Sequence, residues 1–430
     1  MTRFFYNLLF PLALLFFLPG YIVTMLRRGN YRKKFGQRLG FYDHATRARL
    51  AQGTHTWMHA VSVGEVMIAL KLAARMKQLT PALRIALTTT TTTGFALATR
   101  QPPDWIEVLY TPLDFWPIMR RAFAVIRPSG IVLVEAEIWP NLVAIAHHRK
   151  IPLALVNARL SSRSERRFRL FNRFLKPYFQ KLDLICVQEP EDVSRWQSLG
   201  ARPDRIHAVG SIKFDPENVG ASAVAPRAVL QAFGVQEARP ILLAGSTHPG
   251  EEEILGTAFL KLRNEFPDLF FVVAPRHVER ALEVASQLRA IGLSPTSRSA
   301  SKAGPGTDSL VLDTTGELRD WYSVAIVVFI GKSLTAHGGQ NPVEAIVAGR
   351  PVVFGPHMEN FAALAGQLVA AGGALQVRNP EELVEVFTTL FRSPSQREEI
   401  VGRTRQVLDQ HRGATERTAQ LLKRVESQAA

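Results

Sequence analysis

Cysteine is nearly absent: Cys186 is the only one in 430 residues. A single thiol excludes an intramolecular disulfide framework and any multi-cysteine zinc site, and favours a reducing compartment. No Gly-x-Gly-x-x-Gly follows a strand-like run, which argues against a nicotinamide or flavin fingerprint. Gly331-Lys332-Ser333 resembles the end of a nucleotide phosphate loop, but the earlier glycine that such a loop requires is Ile326, inside an apolar run. No Asp-x-Asp occurs, so the usual acidic pair for holding a metal on a nucleotide diphosphate is missing. Glu135-Ala136-Glu137 comes nearest, and on a strand its two carboxylates would point to opposite faces. No repeat of 20 to 50 residues is visible.

What is present describes a globular chain. It is 47% hydrophobic and 21% charged, and its length suggests about two or three domains at roughly 150 residues each. Lysine and arginine number 52 against 37 aspartates and glutamates, a net charge of +15. Nearly all of the excess lies in two segments. Residues 27–50 carry eight basic residues against Asp43, and residues 159–181 carry eight against Glu165.

The first basic segment follows an uncharged stretch, Phe4 to Leu26. As a helix it would reach roughly 35 Å, enough for a hydrocarbon core of about 30 Å. Arginines and lysines just beyond it place the body of the protein on the cytoplasmic side. Residues 1–26 therefore read as a membrane anchor, with Pro11 and Pro19-Gly20 leaving a kinked helix or a shallow interfacial insertion as alternatives.

Beyond the anchor, short apolar runs alternate with helical patterns, as in a parallel sheet covered on both faces. Thr56–Ser62, Arg84–Thr90, Gly130–Glu135, Pro152–Asn157, Leu184–Gln188 and His207–Gly210 form one series, and a second begins at Ile241. The expectation is an α/β protein with two Rossmann-like domains, 27–215 and 216–392, facing across a cleft. A helical segment, 393–430, is expected to pack back on the first domain. In the second basic segment, Phe168, Phe171, Leu175, Tyr178 and Leu182 recur at helical spacing, which predicts one amphipathic helix with a basic face.

Several residues at predicted strand ends carry chemistry. Glu65, after Ser62-Val63-Gly64, falls in the first turn of a helix, where it serves either as helix-start chemistry or as a general base. Glu135-Ala136-Glu137 ends an apolar strand, where a carboxylate is costly unless paired or working. Lys213 falls near the interdomain linker and reads either as an exposed linker lysine or as a cleft cation. In the second half, Arg276-His277 ends a strand and suits a phosphate. Thr315-Gly316-Glu317 enters a helix, and Asn341 and Glu344 follow the turn Gly338-Gly339-Gln340. Together these describe a nucleotide pocket.

His59-Ala60-Val61-Ser62-Val63-Gly64-Glu65, Glu135 to Asn141, Asn157 to Ser161, Gly210 to Asp215, Ser246 to Glu252, Pro275 to Arg280 and Gly338 to Glu344 stand in this order along the chain. In this the sequence resembles the 3-deoxy-D-manno-octulosonic acid (Kdo) transferases of lipopolysaccharide synthesis. The resemblance implies a GT-B glycosyltransferase with no cofactor and no metal, which moves Kdo from CMP-Kdo to the tetraacyl disaccharide lipid A precursor with inversion. It implies Glu65 as general base and Glu135 and Lys213 as transition-state stabilisers. It also implies Arg276, His277, Thr315, Gly316, Glu317, Asn341 and Glu344 as CMP-binding. The basic residues beside the anchor suit anionic lipids of the bacterial inner membrane as a partner. Ala136, Lys332 and Gln340 depart from the family pattern, where threonine, glycine and histidine are expected. Competing readings are a GT-B transferase using a UDP-sugar, a membrane-tethered nucleic-acid binder and a non-catalytic scaffold. The strands show no basic and aromatic interleaving of the kind nucleic-acid binding would need.

Overall fold

The computed structural model describes residues 3–12, 15, 16, 20, 34–160, 162–216 and 224–429. The chain forms two compact units: Met1–Asp215 with His411–Ala430, and Pro216–Gln410.

The first unit is built on seven parallel strands. They are β1 (His55–Ala60), β2 (Ile85–Thr89), β3 (Ile106–Tyr110), β4 (Pro128–Val134), β5 (Leu153–Ala158), β6 (Leu184–Val187) and β7 (Ile206–Ala208), in the order β3-β2-β1-β4-β5-β6-β7. Apolar side chains on both faces of the central strands explain why the runs are continuous rather than alternating, whereas the edge strand β7 exposes His207 and Ala208. Trp57, Leu133 and Leu155 enter one core, and their neighbours Met58, Val132 and Val156 enter the core on the opposite face. The order reverses beside β1, which pairs with β2 on one edge and β4 on the other. Loops leaving β1 and β4 therefore diverge at a crevice at the carboxyl end of the sheet, where ligands of this architecture sit.

The second unit repeats the plan with β8 (Ile241–Thr247), β9 (Phe270–Pro275), β10 (Pro295–Ser297), β11 (Ser309–Val311), β12 (Val327–Ile330), β13 (Val352–Phe354) and β14 (Leu375–Gln376), in the order β10-β11-β9-β8-β12-β13-β14. Its reversal falls at β8, between β9 and β12.

The stretch 393–430 is not one segment on the first domain. Its first helix, Pro394–Asp409, stays in the second unit, where Ile400, Thr404 and Leu408 are buried and the Thr404 hydroxyl donates to the Gly373 carbonyl. Only the last helix, Ala414–Ala429, belongs to the first unit. There Ala419 and Leu422 join the core beside the helix Val63–Leu79.

The predicted amphipathic helix is two. Ser162–Leu170 and Asn172–Phe179 are separated at Phe171, and Pro177 lies inside the second. Phe168, Tyr178 and Leu182 are buried as expected, whereas Phe171 is exposed together with Leu170 and Phe174. Near the chain start, residues 3–12 are helical. Much of the predicted anchor, including residues 21–26, and the basic residues 27–33 lie outside the described residues. Among those described, no helix is long and apolar enough to cross a membrane.

Candidate active site

The crevice of the first unit collects acidic groups from β1 and β4. After β1, Ser62 caps the helix Val63–Leu79, its hydroxyl accepting from the Glu65 amide. The Glu65 carboxylate reaches back, accepting from the Val61 amide at 2.8 Å and the Ser62 hydroxyl at 2.9 Å. This is a reciprocal capping box, so the structural role weighed for Glu65 is present in the fold. Burial nevertheless pushes its carboxyl above the usual carboxylate range, against the pull of those hydrogen bonds.

β4 ends at Val134, and Glu135 sits in a turn with φ at +64°. A non-glycine residue in the left-handed region is uncommon and marks a constrained site. The strand rule that would send Glu135 and Glu137 to opposite faces therefore does not apply. Both feel the charge of Glu65. Burial first, and Glu65 second, raise the pKa of each, that of Glu137 to about 7. Arg159 and Lys213 pull Glu135 back toward ionisation, and Arg167 does the same for Glu137.

Lys213 is not an exposed linker residue. It is partly buried, and burial lowers its pKa while Glu135 opposes the shift. Its turn is held from several sides. Asn157, with φ at +51°, accepts the Ile212 amide at 2.9 Å, and His411 accepts the Ser211 amide at 3.2 Å. Asp215 accepts the Gly413 and Thr415 amides at 2.7 and 2.8 Å. Asp114, which the sequence reading missed, is buried and accepts the Asn141 and Leu142 amides, each at 2.9 Å. Only the roles of Asn157 as a left-handed residue after an apolar run and of Asp114 before a Trp-Pro helix start had any local signal.

In the second unit the corresponding crevice is stitched by Glu251. Its buried carboxylate accepts the amides of His248, Lys332, Ser333 and Leu334 at 2.8 to 3.0 Å. This joins the loops after β8 and β12; Ser246, near the end of β8, and Lys332, after β12, are also left-handed. Gly331 is required between them, since a Cβ there would lie 2.3 Å from the Ser246 carbonyl oxygen. Arg276 and His277 follow β9 and are exposed, the Arg276 amide donating to the Thr247 carbonyl at 3.0 Å. The ring of His277 lies 6.0 Å from that of His248. Gly316, at φ +88°, lets the Thr315-Gly316-Glu317 loop turn, and the Glu317 carboxylate is engaged by Arg298 at 3.1 Å. The carbonyl oxygen of the Asn341 side chain accepts the Val343 amide at 3.1 Å, and Glu344 is exposed on the short helix that follows. These seven residues follow β9, β11 and β12; β11 and β9 are adjacent in the sheet, and β8 stands between β9 and β12.

Among the described residues, one group has the spacing of metal ligands: His337, His357 and Glu359, with Glu359 2.9 Å from His337 and 3.5 Å from His357. It belongs to the second unit and borders the Gly338–Glu344 turn.

Residues 33–216 match a family model described as 3-deoxy-D-manno-octulosonic-acid transferase (kdotransferase). The 3-deoxy-D-manno-octulosonic acid transferase of Haemophilus influenzae is 32% identical over 98% of both chains. That of Bordetella pertussis is 35% identical over 85% of this chain and 86% of its own. Among solved structures, the UDP-GlcNAc 2-epimerase of Neisseria meningitidis (14% identical, TM-score 0.57) and MurG of Acinetobacter baumannii (16% identical, TM-score 0.56) each cover 86% of this chain and are themselves covered in full. At such identities the likeness speaks for the fold alone, and that fold is GT-B. With two Rossmann-like sheets and near full-length similarity to those relatives, the chain belongs to the 3-deoxy-D-manno-octulosonic acid transferase family of glycosyltransferases.

Proposed function

We propose that this protein transfers Kdo from CMP-Kdo to a sugar hydroxyl of the tetraacyl disaccharide lipid A precursor, by an inverting displacement without a metal. The observation that carries the mechanism is the convergence of Glu65, Glu135 and Glu137 with Lys213 and Arg159 at the crevice of the first sheet. Glu65 takes the proton of the acceptor hydroxyl as its oxygen bonds to the anomeric carbon. The bond from that carbon to the CMP phosphate oxygen breaks with its electron pair, and CMP departs. Lys213 and Glu135 form an opposite-charge pair beside the base and stabilise the charge that develops. Arg276 and His277 receive the phosphate, and the Thr315-Gly316-Glu317 loop, Asn341 and Glu344 hold the nucleoside. Because Glu317 is engaged by Arg298, its loop contributes through backbone groups.

The acceptor reaches the site from the inner membrane, with the catalytic units on its cytoplasmic face. Phe4, Phe5, Leu8, Leu9 and Leu12 are exposed on the helix 3–12, and Leu170, Phe171 and Phe174 are exposed beside Arg166 and Arg173. Apolar side chains flanked by cations suit an anionic lipid surface.

Mass spectrometry of lipid A precursor after incubation with the protein and CMP-Kdo tests the reading, which predicts a mass gain of one or more Kdo residues. Tighter binding of UDP than of CMP would instead support a UDP-sugar donor. Full transfer is expected in EDTA, and loss of transfer restored by a divalent ion would overturn the metal-free mechanism. Glu65→Gln keeps the capping geometry while removing the base. It should leave CMP-Kdo affinity within about twofold and reduce kcat by roughly a hundredfold or more, and ample residual transfer would sink the assignment.

A further inference from the structure

The helix 3–12 has two faces. Its outer face is the exposed apolar stripe named above. Its inner face carries Arg3, Tyr6, Asn7 and Phe10, at the i, i+3, i+4 and i+7 spacing of one helical side, and all four are partly buried on the first unit. Phe10 stacks on Phe115 with ring centroids 5.4 Å apart.

The polar contacts of this face converge on Asn141. The side-chain carbonyl of Asn141 accepts from Arg3 Nε and Asn7 Nδ2, each at 2.9 Å. Its amide nitrogen donates to Asn7 Oδ1 at 3.0 Å and to the Asp114 carbonyl at 2.7 Å. Asn7 Oδ1 also accepts the Trp116 amide at 3.0 Å. Asn141 is fully buried and uses both donors and both acceptor sites of its amide, so each partner removed leaves an unsatisfied buried group.

Asn141 closes the loop that carries Glu135 and Glu137. At one end, the Glu135 amide donates to the Val156 carbonyl at 3.0 Å. At the other end, the Asn141 amide and side chain meet Asp114 and the helix 3–12.

We propose that the helix 3–12 is a positioning element of the acidic loop 135–141, with Asn7 as its central residue, and that a phospholipid bilayer occupies its outer face. The two faces then have separate tasks: the outer face meets the bilayer, and the inner face holds Asn141, which in turn holds the loop of the carboxylates. Neither Asn7 nor Arg3 touches reacting atoms in this scheme. The inference rests on the transferase reading for its kinetic consequence but not for its structural one.

Asn7→Ala in the full chain, on vesicles of phosphatidylethanolamine and phosphatidylglycerol, tests it. Amide hydrogen exchange over residues 135–142 should quicken about tenfold, with exchange in β5 unchanged. The kcat for Kdo transfer should fall about tenfold with the KM for CMP-Kdo unchanged, and vesicle binding should be retained because Asn7 faces inward. Phe10→Ala, which loosens the same seat without touching the polar network, should give a smaller change of the same kind. Leu8→Ser with Leu9→Ser should reduce vesicle binding while leaving exchange over 135–142 unchanged in detergent. Unaltered exchange over 135–142 in Asn7→Ala would overturn the proposal. So would a fall in kcat that merely tracks loss of vesicle binding, or faster exchange spread evenly over the unit. If the wild-type chain transfers no Kdo, the transferase reading fails by itself, and the exchange measurement still decides the positioning role.

Discussion

At the scale of single residues, the carboxylates of the first unit make the protein sensitive to pH in two measurable ways. Glu65, Glu135 and Glu137 all titrate above their ordinary range, because burial penalises the charged form of each and the charge of Glu65 adds to the penalty on Glu135 and Glu137. A base must be ionised to work, so kcat/KM should rise with pH along a limb above the ordinary carboxylate value. Glu65 raises Glu137, but Glu137 is not among the causes of the Glu65 shift, since it is still protonated while Glu65 ionises; Glu137→Gln should therefore leave that limb in place in a profile from pH 4.5 to 9. The second effect is on stability. Glu137 has its pKa raised from 4.5 to about 7, so the folded state binds its proton more tightly than the unfolded chain does. Its cost is absent below the unfolded value and grows as pH rises through the folded one. Glu137→Gln should then match the wild type in urea unfolding at pH 4.5 and exceed it at pH 8, by about 1–3 kcal/mol. The sequence marked these carboxylates at strand ends but applied strand alternation to Glu135 and Glu137. The alternation of a strand governs side chains only while the strand lasts, and this one ends at Val134 with a left-handed residue next.

At the scale of elements, loops are placed by single buried acceptors. Glu251 receives four backbone amides from two loops, at the start of a helix whose dipole favours its charge. Glu251→Gln keeps the size of the side chain but sets an amide N–H against a backbone N–H. It should weaken CMP binding about tenfold by calorimetry while leaving the first unit unaffected, since a lost charged hydrogen-bond set of this kind is worth about 1.5–3 kcal/mol per bond at most. The broken helix 162–179 also bears on the acceptor. Arg169 is paired with Glu165 at 2.8 Å, and Arg195 shares that carboxylate at 2.6 Å. Arg167 acts on Glu137. Charge reversal there would mix several effects, whereas Arg166 and Arg173 are exposed beside Leu170, Phe171 and Phe174. Arg166→Glu with Arg173→Glu should raise the KM for the lipid acceptor several-fold at low salt and leave CMP-Kdo affinity unchanged, and an unchanged acceptor KM would reduce these arginines to a solvated face. The helical periodicity of this segment was legible in Phe168, Tyr178 and Leu182. The break was not, because Phe171 fits the apolar spacing and is turned outward only where the chain changes direction.

At the scale of the whole molecule, the net charge of +15 resolves into local roles: some arginines pair with carboxylates, some flank exposed apolar side chains, and Arg159 and Lys213 bias the acidic crevice. What the sequence by itself determined was the alternation of short apolar runs with helices, hence two parallel α/β units, together with the residue types at strand ends and the ordered motifs of the family. Those properties are local, set by periodicity and by turn chemistry within a few residues. Only the tertiary structure decided which strand ends meet. Glu65 and Glu135 come together because β1 and β4 are neighbours in the sheet, although β2 and β3 separate them along the chain. The turn of Lys213 is held by His411, Gly413 and Thr415 from the far end of the sequence, and Asn141 by Arg3 and Asn7 from its beginning. Such contacts satisfy buried polar groups wherever the packed cores bring partners within reach, and spacing along a chain carries no record of them.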